Sequence, residues 1–253
     1  KPDVRSIADS DTPILNDSVR FLIDMTGLTV SLADFGSSAA SLFDDLQTVL
    51  ENFDVGYENI TDYSGLLTIL DSLVTQTDAM VITANLVDSN ITLIYNTALN
   101  NGYGQLNQPA YELSTQLKQF NFTRDITNAN AIAHSFYHLF GAMENLKYTY
   151  LNITAGQQEF ENTQYLAAAQ RFHDANTSLY ASMHEMDQAI YYMNKTEEGG
   201  MVQLQTTRDA LVIIRNNLDT IVQDISDIIA ICEGPDPGSH SAELLTKVDN
   251  IIN

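Results

Sequence analysis

The sequence predicts an all-α protein, an elongated antiparallel bundle of about seven helices. Three observations carry this. Apolar residues recur in alternating steps of three and four over long stretches, the spacing that lays one apolar stripe along a helix. No stretch shows the period-two alternation of a half-buried strand. The breaks are short and rich in Gly, Pro and Asn, residues that end helices and form turns.

From 67 to 95 the periodic positions are Leu67, Leu70, Val74, Thr77, Val81, Ala84 and Ile91. From 132 to 150 they are Ile132, Phe136, Leu139, Met143, Leu146 and Tyr150. From 211 to 232 they are Leu211, Ile214, Leu218, Ile221, Ile225, Ile228 and Cys232. Helices are expected over 14–26, 28–52, 63–99, 108–120, 125–151, 162–194 and 198–232. The segment 233–253 reads as a loop and the start of a further helix, from about 240. The turns are "NNGYGQLNQP" (100–109), "TEEGG" (196–200) and "EGPDPGS" (233–239). Pro109 suits a first helical turn, where its missing N–H costs little. Helices of 30 residues span roughly 45 Å, and long helices with short connections pack as antiparallel bundles.

The chain reads as one helical domain over 1–253. A boundary near 100–108 would instead divide it into two stacked helical modules. It begins Lys1-Pro2 and stops within a helical pattern, "AELLTKVDNIIN", so both ends read as cuts from something longer.

With 253 residues, 44% of them hydrophobic and 17% charged, the composition is globular. Acids outnumber bases 33 to 11, giving a net charge of −22. That field repels nucleic acid and anionic membranes, and the bases form no cluster to offset it. The single cysteine, Cys232 in "DIIAIC", allows no internal disulfide and reads as a small buried hydrophobe. No run approaches 18 consecutive apolar residues, so no membrane span is expected within the chain; attachment would lie outside it.

Asn-x-Ser/Thr occurs at Asn16, Asn59, Asn90, Asn121, Asn152, Asn176 and Asn194. This is the acceptor pattern for N-linked sugar, which requires an accessible side chain. Asn59 and Asn121 fall in expected loops, Asn152 and Asn194 near helix ends, and Asn90 at an outward heptad position. Asn59, Asn90, Asn121 and Asn152 are spaced 31 residues apart, but the intervening residues do not resemble one another, so the interval is not a repeat. The sequons point to an extracellular or cell-surface ectodomain. Few lysines, many aspartates and no disulfide suit an archaeal exterior.

His134 and His138 are one helical turn apart, a spacing used by helical metal ligands. A turn centred near 158 would bring His184, and with it His173, into the same hairpin. Four imidazoles could then bind zinc, copper or haem. The heptad register argues against this, because it turns all four away from the apolar seam. No Glu-x-x-His pair or Cys-x-x-Cys-His is present, so no cofactor is expected.

Aromatic residues are dense between 136 and 192, as core or as a pocket lining. Arg171, Arg208 and Arg215 are the candidates to hold an anionic ligand, Arg being suited to carboxylates. The competing role is pairing with Asp or Glu on a neighbouring helix. No Gly-x-Ser-x-Gly elbow, phosphate-cradling glycine loop or His-Glu-x-x-His occurs, so no enzyme is expected. Two functions fit. One is a non-enzymatic scaffold, spacer or assembly subunit at a cell surface, engaging protein partners or itself. The alternative is a sensor ectodomain that binds a small molecule between helices.

Overall fold

A computed structural model describes residues 4–54, 63–196 and 202–252. Side-chain placements are described for 16–42, 44, 63–196 and 205–252. The fold is all-α, with its helices in a bundle-like arrangement and no strand among the described residues. The helices are α1 (Val4–Asp54), α2 (Tyr63–Leu99), α3 (Asn107–Leu117), α4 (Phe122–Glu161), α5 (Tyr165–Met193), α6 (Val202–Glu233) and α7 (Ser241–Ile252). Short 3₁₀ turns at Gly104–Leu106 and Pro237–His240 precede α3 and α7.

The chain forms two compact units. The first comprises residues 1–55 and 72–130, the second 56–71 and 131–253, so α2 and α4 contribute to both. The glycine-rich turn at 100–108 lies inside the first unit.

In the first unit, Leu28 of α1 packs with Val87, Ile91, Ile94 and Ala98 of α2, Tyr103, and Ala110 of α3. Where two helices are expected, α1 is continuous through Gly27. A mid-helix glycine costs about 1 kcal/mol, which tertiary packing outweighs. Asn90 Nδ2 donates to the Gly27 carbonyl at 3.3 Å and to Ser31 Oγ at 3.2 Å, joining α1 to α2 at that glycine. Tyr103 closes the turn after α2. It is 1% exposed and donates to Asp24 Oδ2 at 2.7 Å. Burial first, then the Asp24 carboxylate, pushes its hydroxyl up to about 12.

By length and composition α2 could cross a membrane, with a mean hydropathy of 1.2 over an 18-residue window, although the chain holds no uninterrupted apolar run. Two of its polar residues are held by neighbouring elements. Asp88 accepts from both the N–H (2.8 Å) and hydroxyl (2.6 Å) of Thr123, and Asn90 binds α1.

In the second unit, α4, α5, α6 and α7 share a core that includes Ile153, Phe160, Phe172, Leu179, Ile225, Ile228, Leu244 and Val248. The α6 stripe forms largely as expected, with Leu211, Leu218, Ile225, Ile228 and Cys232 buried, although Ile214 is 47% exposed. The α4 stripe forms only in part, with Ile132, Leu139 and Leu146 partly buried against this core. Phe136 and Tyr150 are exposed, while Ala131, Ala133, Ser135, Ala142, Thr149 and Gly156 are buried. Small residues let α4 and α5 approach closely. Ser182 Oγ donates to the Ala142 carbonyl at 2.9 Å, and Thr149 Oγ1 to that of Ala175 at 3.4 Å. The α4–α5 turn lies at 162–164, beyond the expected centre near 158.

Candidate functional site

The longer hairpin changes which residues face each other. His134 stacks on Tyr192, with ring centroids 4.1 Å apart and planes 6° apart. His138 lies 5.5 Å from the same ring at 11°. Tyr192 is eight residues beyond His184, about 12 Å along a helix, so the register that would have joined His184 to this pair does not occur. His138 Nδ1 is 2.7 Å from Glu185 Oε2, with 18% and 27% of the two side chains exposed. Gly141 leaves room for that carboxylate, since a Cβ there would lie 3.3 Å from Oε2. The cluster continues through Tyr191, whose ring holds Lys195 Nζ 4.4 Å from its centroid. It therefore fastens α4 to α5 by stacking and one half-buried ionisable pair.

His173 pairs with Glu233 of α6 at 3.0 Å, and His184 is exposed. The four imidazoles thus do not converge, and the described residues hold no group of three or more His, Cys, Asp or Glu suited to a metal ion. Sequence reasoning missed Glu185 and Tyr192 because their facing depends on turn position, which periodicity does not fix.

The arginines find helix partners. Arg215 Nε donates to Asp187 of α5 at 3.0 Å, and its Nη1 to Asp219 at 3.1 Å. The Asp187 carboxylate chiefly, with Asp219, raises its pKa. Arg208 is bound by Asp209 and by Asn194 Oδ1 at 2.9 Å. Arg171 is exposed, with no ion pair among the described residues. Lys247 of α7 bridges Asp224 (3.0 Å) and Asp227 (2.8 Å) of α6. Those two partners raise its pKa, and it in turn lowers that of Asp227. The sequence offered one signal for this bridge, a lone base in an acidic terminal helix.

The aromatic residues divide between core and surface. Phe140, Phe160 and Phe172 are buried, while Tyr148, Tyr150, Tyr180 and Tyr191 are about half exposed. An open groove of about 450 Å³ lies elsewhere, along α2, lined by Asn85, Asp88, Ser89, Thr92, Leu93 and Asn96.

The sequons separate into classes. Asn16, Asn121 and Asn194 are exposed. Asn121 caps α4, its Oδ1 accepting from the Arg124 N–H at 2.9 Å; a sugar on Nδ2 leaves that cap intact. Asn194 likewise uses only its oxygen, toward Arg208. Asn152 is half-buried. Asn176 is half-buried with Oδ1 closed off from solvent and no partner found for it among the described residues. Asn90 does not face outward as expected, because its amide nitrogen, the atom a sugar would occupy, binds α1. Asn59 lies outside the described residues.

In comparisons with protein-family models, curated proteins and solved structures, nothing matches this chain.

Proposed function

We propose that this chain is a non-enzymatic helical module of a cell-surface protein, acting outside the cell as a scaffold, spacer or assembly subunit. The observation that carries it is the state of the acceptor asparagines. Asn16, Asn121 and Asn194 are exposed on helix surfaces or ends, and the last two engage neighbours through oxygen only. A sugar on any of the three would displace no packing contact within the chain. The charge of −22 supports a solvated, mutually repelling surface. The scaffold reading is favoured over a sensor because Arg208 and Arg215 are occupied by side chains of their own chain, leaving Arg171 as the free cation for a carboxylate ligand among these three.

The test is lysine labelling of intact source cells with a membrane-impermeant reagent. Modification of this chain before lysis is expected. Protection until the cells are broken would overturn the exterior location.

A further inference from the structure

Within the first unit, α1 and α2 each leave an apolar stripe uncovered. On α1 it comprises Val19, Leu22, Ile23 and Val30; on α2, Ile82, Leu86 and Leu93. All seven are between 46% and 65% exposed. The stripes border one another. The Asn90 hydrogen bonds to Gly27 and Ser31 fix where α1 crosses α2. Ile23 and Val30 stand four before and three after Gly27, and Leu86 and Leu93 stand four before and three after Asn90. Residues at those offsets share a helix face with the contact residue, so four apolar side chains edge the crossing.

Two further observations are compatible with covering this face. Thr26 and Thr29 belong to the α1 stripe, and their hydroxyls donate back to the Leu22 and Met25 carbonyls at 2.7 and 2.8 Å. Covering the stripe would strand neither hydroxyl. The face also carries little charge, in a chain with 33 acids and 11 bases. Between 19 and 33 the charged residues are Arg20 and Asp24. Asp24 holds Tyr103, and Arg20 reaches toward the Gly102 turn. Between 79 and 99 the one charge is Asp88, held by Thr123.

We propose that this face packs on the same face of a second copy of the chain, as an isologous pair. Two copies of a −22 chain repel each other through most of their surfaces, and a face with so few charges is where they can meet. The seven side chains expose on the order of 700 Å², close to the ~800 Å² per partner of a standard interface. A lipid surface fits less well, since helices that lie on membranes are rimmed with Lys and Arg, and here Arg20 stands alone. The inference rests on the assembly-subunit reading and gives that subunit its partner.

Sedimentation velocity on the full chain tests it, over roughly 1–100 μM at low and high salt. The chain should be prepared without sugar, because Asn16 stands one turn before Val19. The expected result is a dimer that strengthens as salt screens the repulsion. Ile23→Glu and Leu86→Glu, both at exposed sites, should each weaken it about tenfold or more with helical circular dichroism unchanged. A monomer throughout the range, a dimer indifferent to both substitutions, or one dissolved by salt would overturn the pairing. So would a monomer that floats with phosphatidylcholine vesicles. Cell-surface labelling decides the location independently. A surface-labelled monomer defeats the pairing alone, and a dimer labelled only after lysis defeats the location alone.

Discussion

Gly156 and Phe172 occupy one site between α4 and α5. A Cβ added to Gly156 would lie 2.9 to 3.1 Å from three atoms of the Phe172 ring, which is 0% exposed and has no room to swing. Gly156→Ala is therefore expected to destabilise by about 1–3 kcal/mol, as overpacking does, although alanine is the better helix former. Gly36→Ala in α1 and Gly65→Ala in α2 meet nothing within 4 Å and should stabilise, by up to about 1 kcal/mol each. Denaturant melts of the three variants check this. A stabilised Gly156→Ala would show that α4 and α5 are not so closely packed.

Thr163 closes the α4–α5 hairpin in the left-handed region, at φ 62°. The following Gln164 N–H reaches back to the Glu159 carbonyl at 2.9 Å, and the Thr163 N–H to that of Phe160. That is the bonding of a helix stop normally made by glycine or asparagine. A β-branched residue held there costs about 1–2 kcal/mol. Thr163→Asn should recover about half of that and raise the Tm by a few degrees. An unchanged Tm would mean that the turn does not hold threonine left-handed.

Tyr103 should make stability fall at high pH. Its folded pKa of about 12 exceeds the ordinary value near 10, so the folded state holds this proton more tightly. The associated stability is complete below pH ~10 and is lost as pH rises from there through ~12. Tyr103→Phe should cost about 1–3 kcal/mol at neutral pH, by stranding Asp24, and should flatten the alkaline decline. An identical decline in the variant would contradict the role given to this hydroxyl.

The separation of the four imidazoles has a direct consequence. Zinc or copper at a modest excess should leave the Tm unchanged, because a ligand confined to the folded state is what would raise it. His138→Gln should lower the Tm through its lost Glu185 partner. A metal-induced rise that vanishes in His138→Gln would restore the metal-site reading.

How far the sequence could be read depended on side-chain size. The α6 stripe of Leu211, Leu218, Ile225 and Ile228 was legible because large apolar residues face the core. In α4 the buried face mixes small residues such as Ala131, Ser135, Ala142 and Gly156 with Phe140, Ile153 and Phe160, so the apolar periodicity through Phe136 and Tyr150 leads to solvent. That stripe turns the histidines outward, and the helix ends expected at 151 and 162 set the hairpin register short of the observed turn after Glu161. Gly27 read as a break because composition does not reveal the Asn90 contact that holds α1 continuous. The same contact removed Asn90 from the outward acceptors, whereas Asn121 was legible as a loop residue and serves as a helix cap.

The most direct test of the central claim is glycopeptide mapping by mass spectrometry on protein from the source organism. The account predicts sugar on one or more of Asn16, Asn121 and Asn194, with Asn90 bare because its nitrogen is bonded to α1. A chain without sugar at any acceptor, or sugar on Asn90 alone, would contradict it.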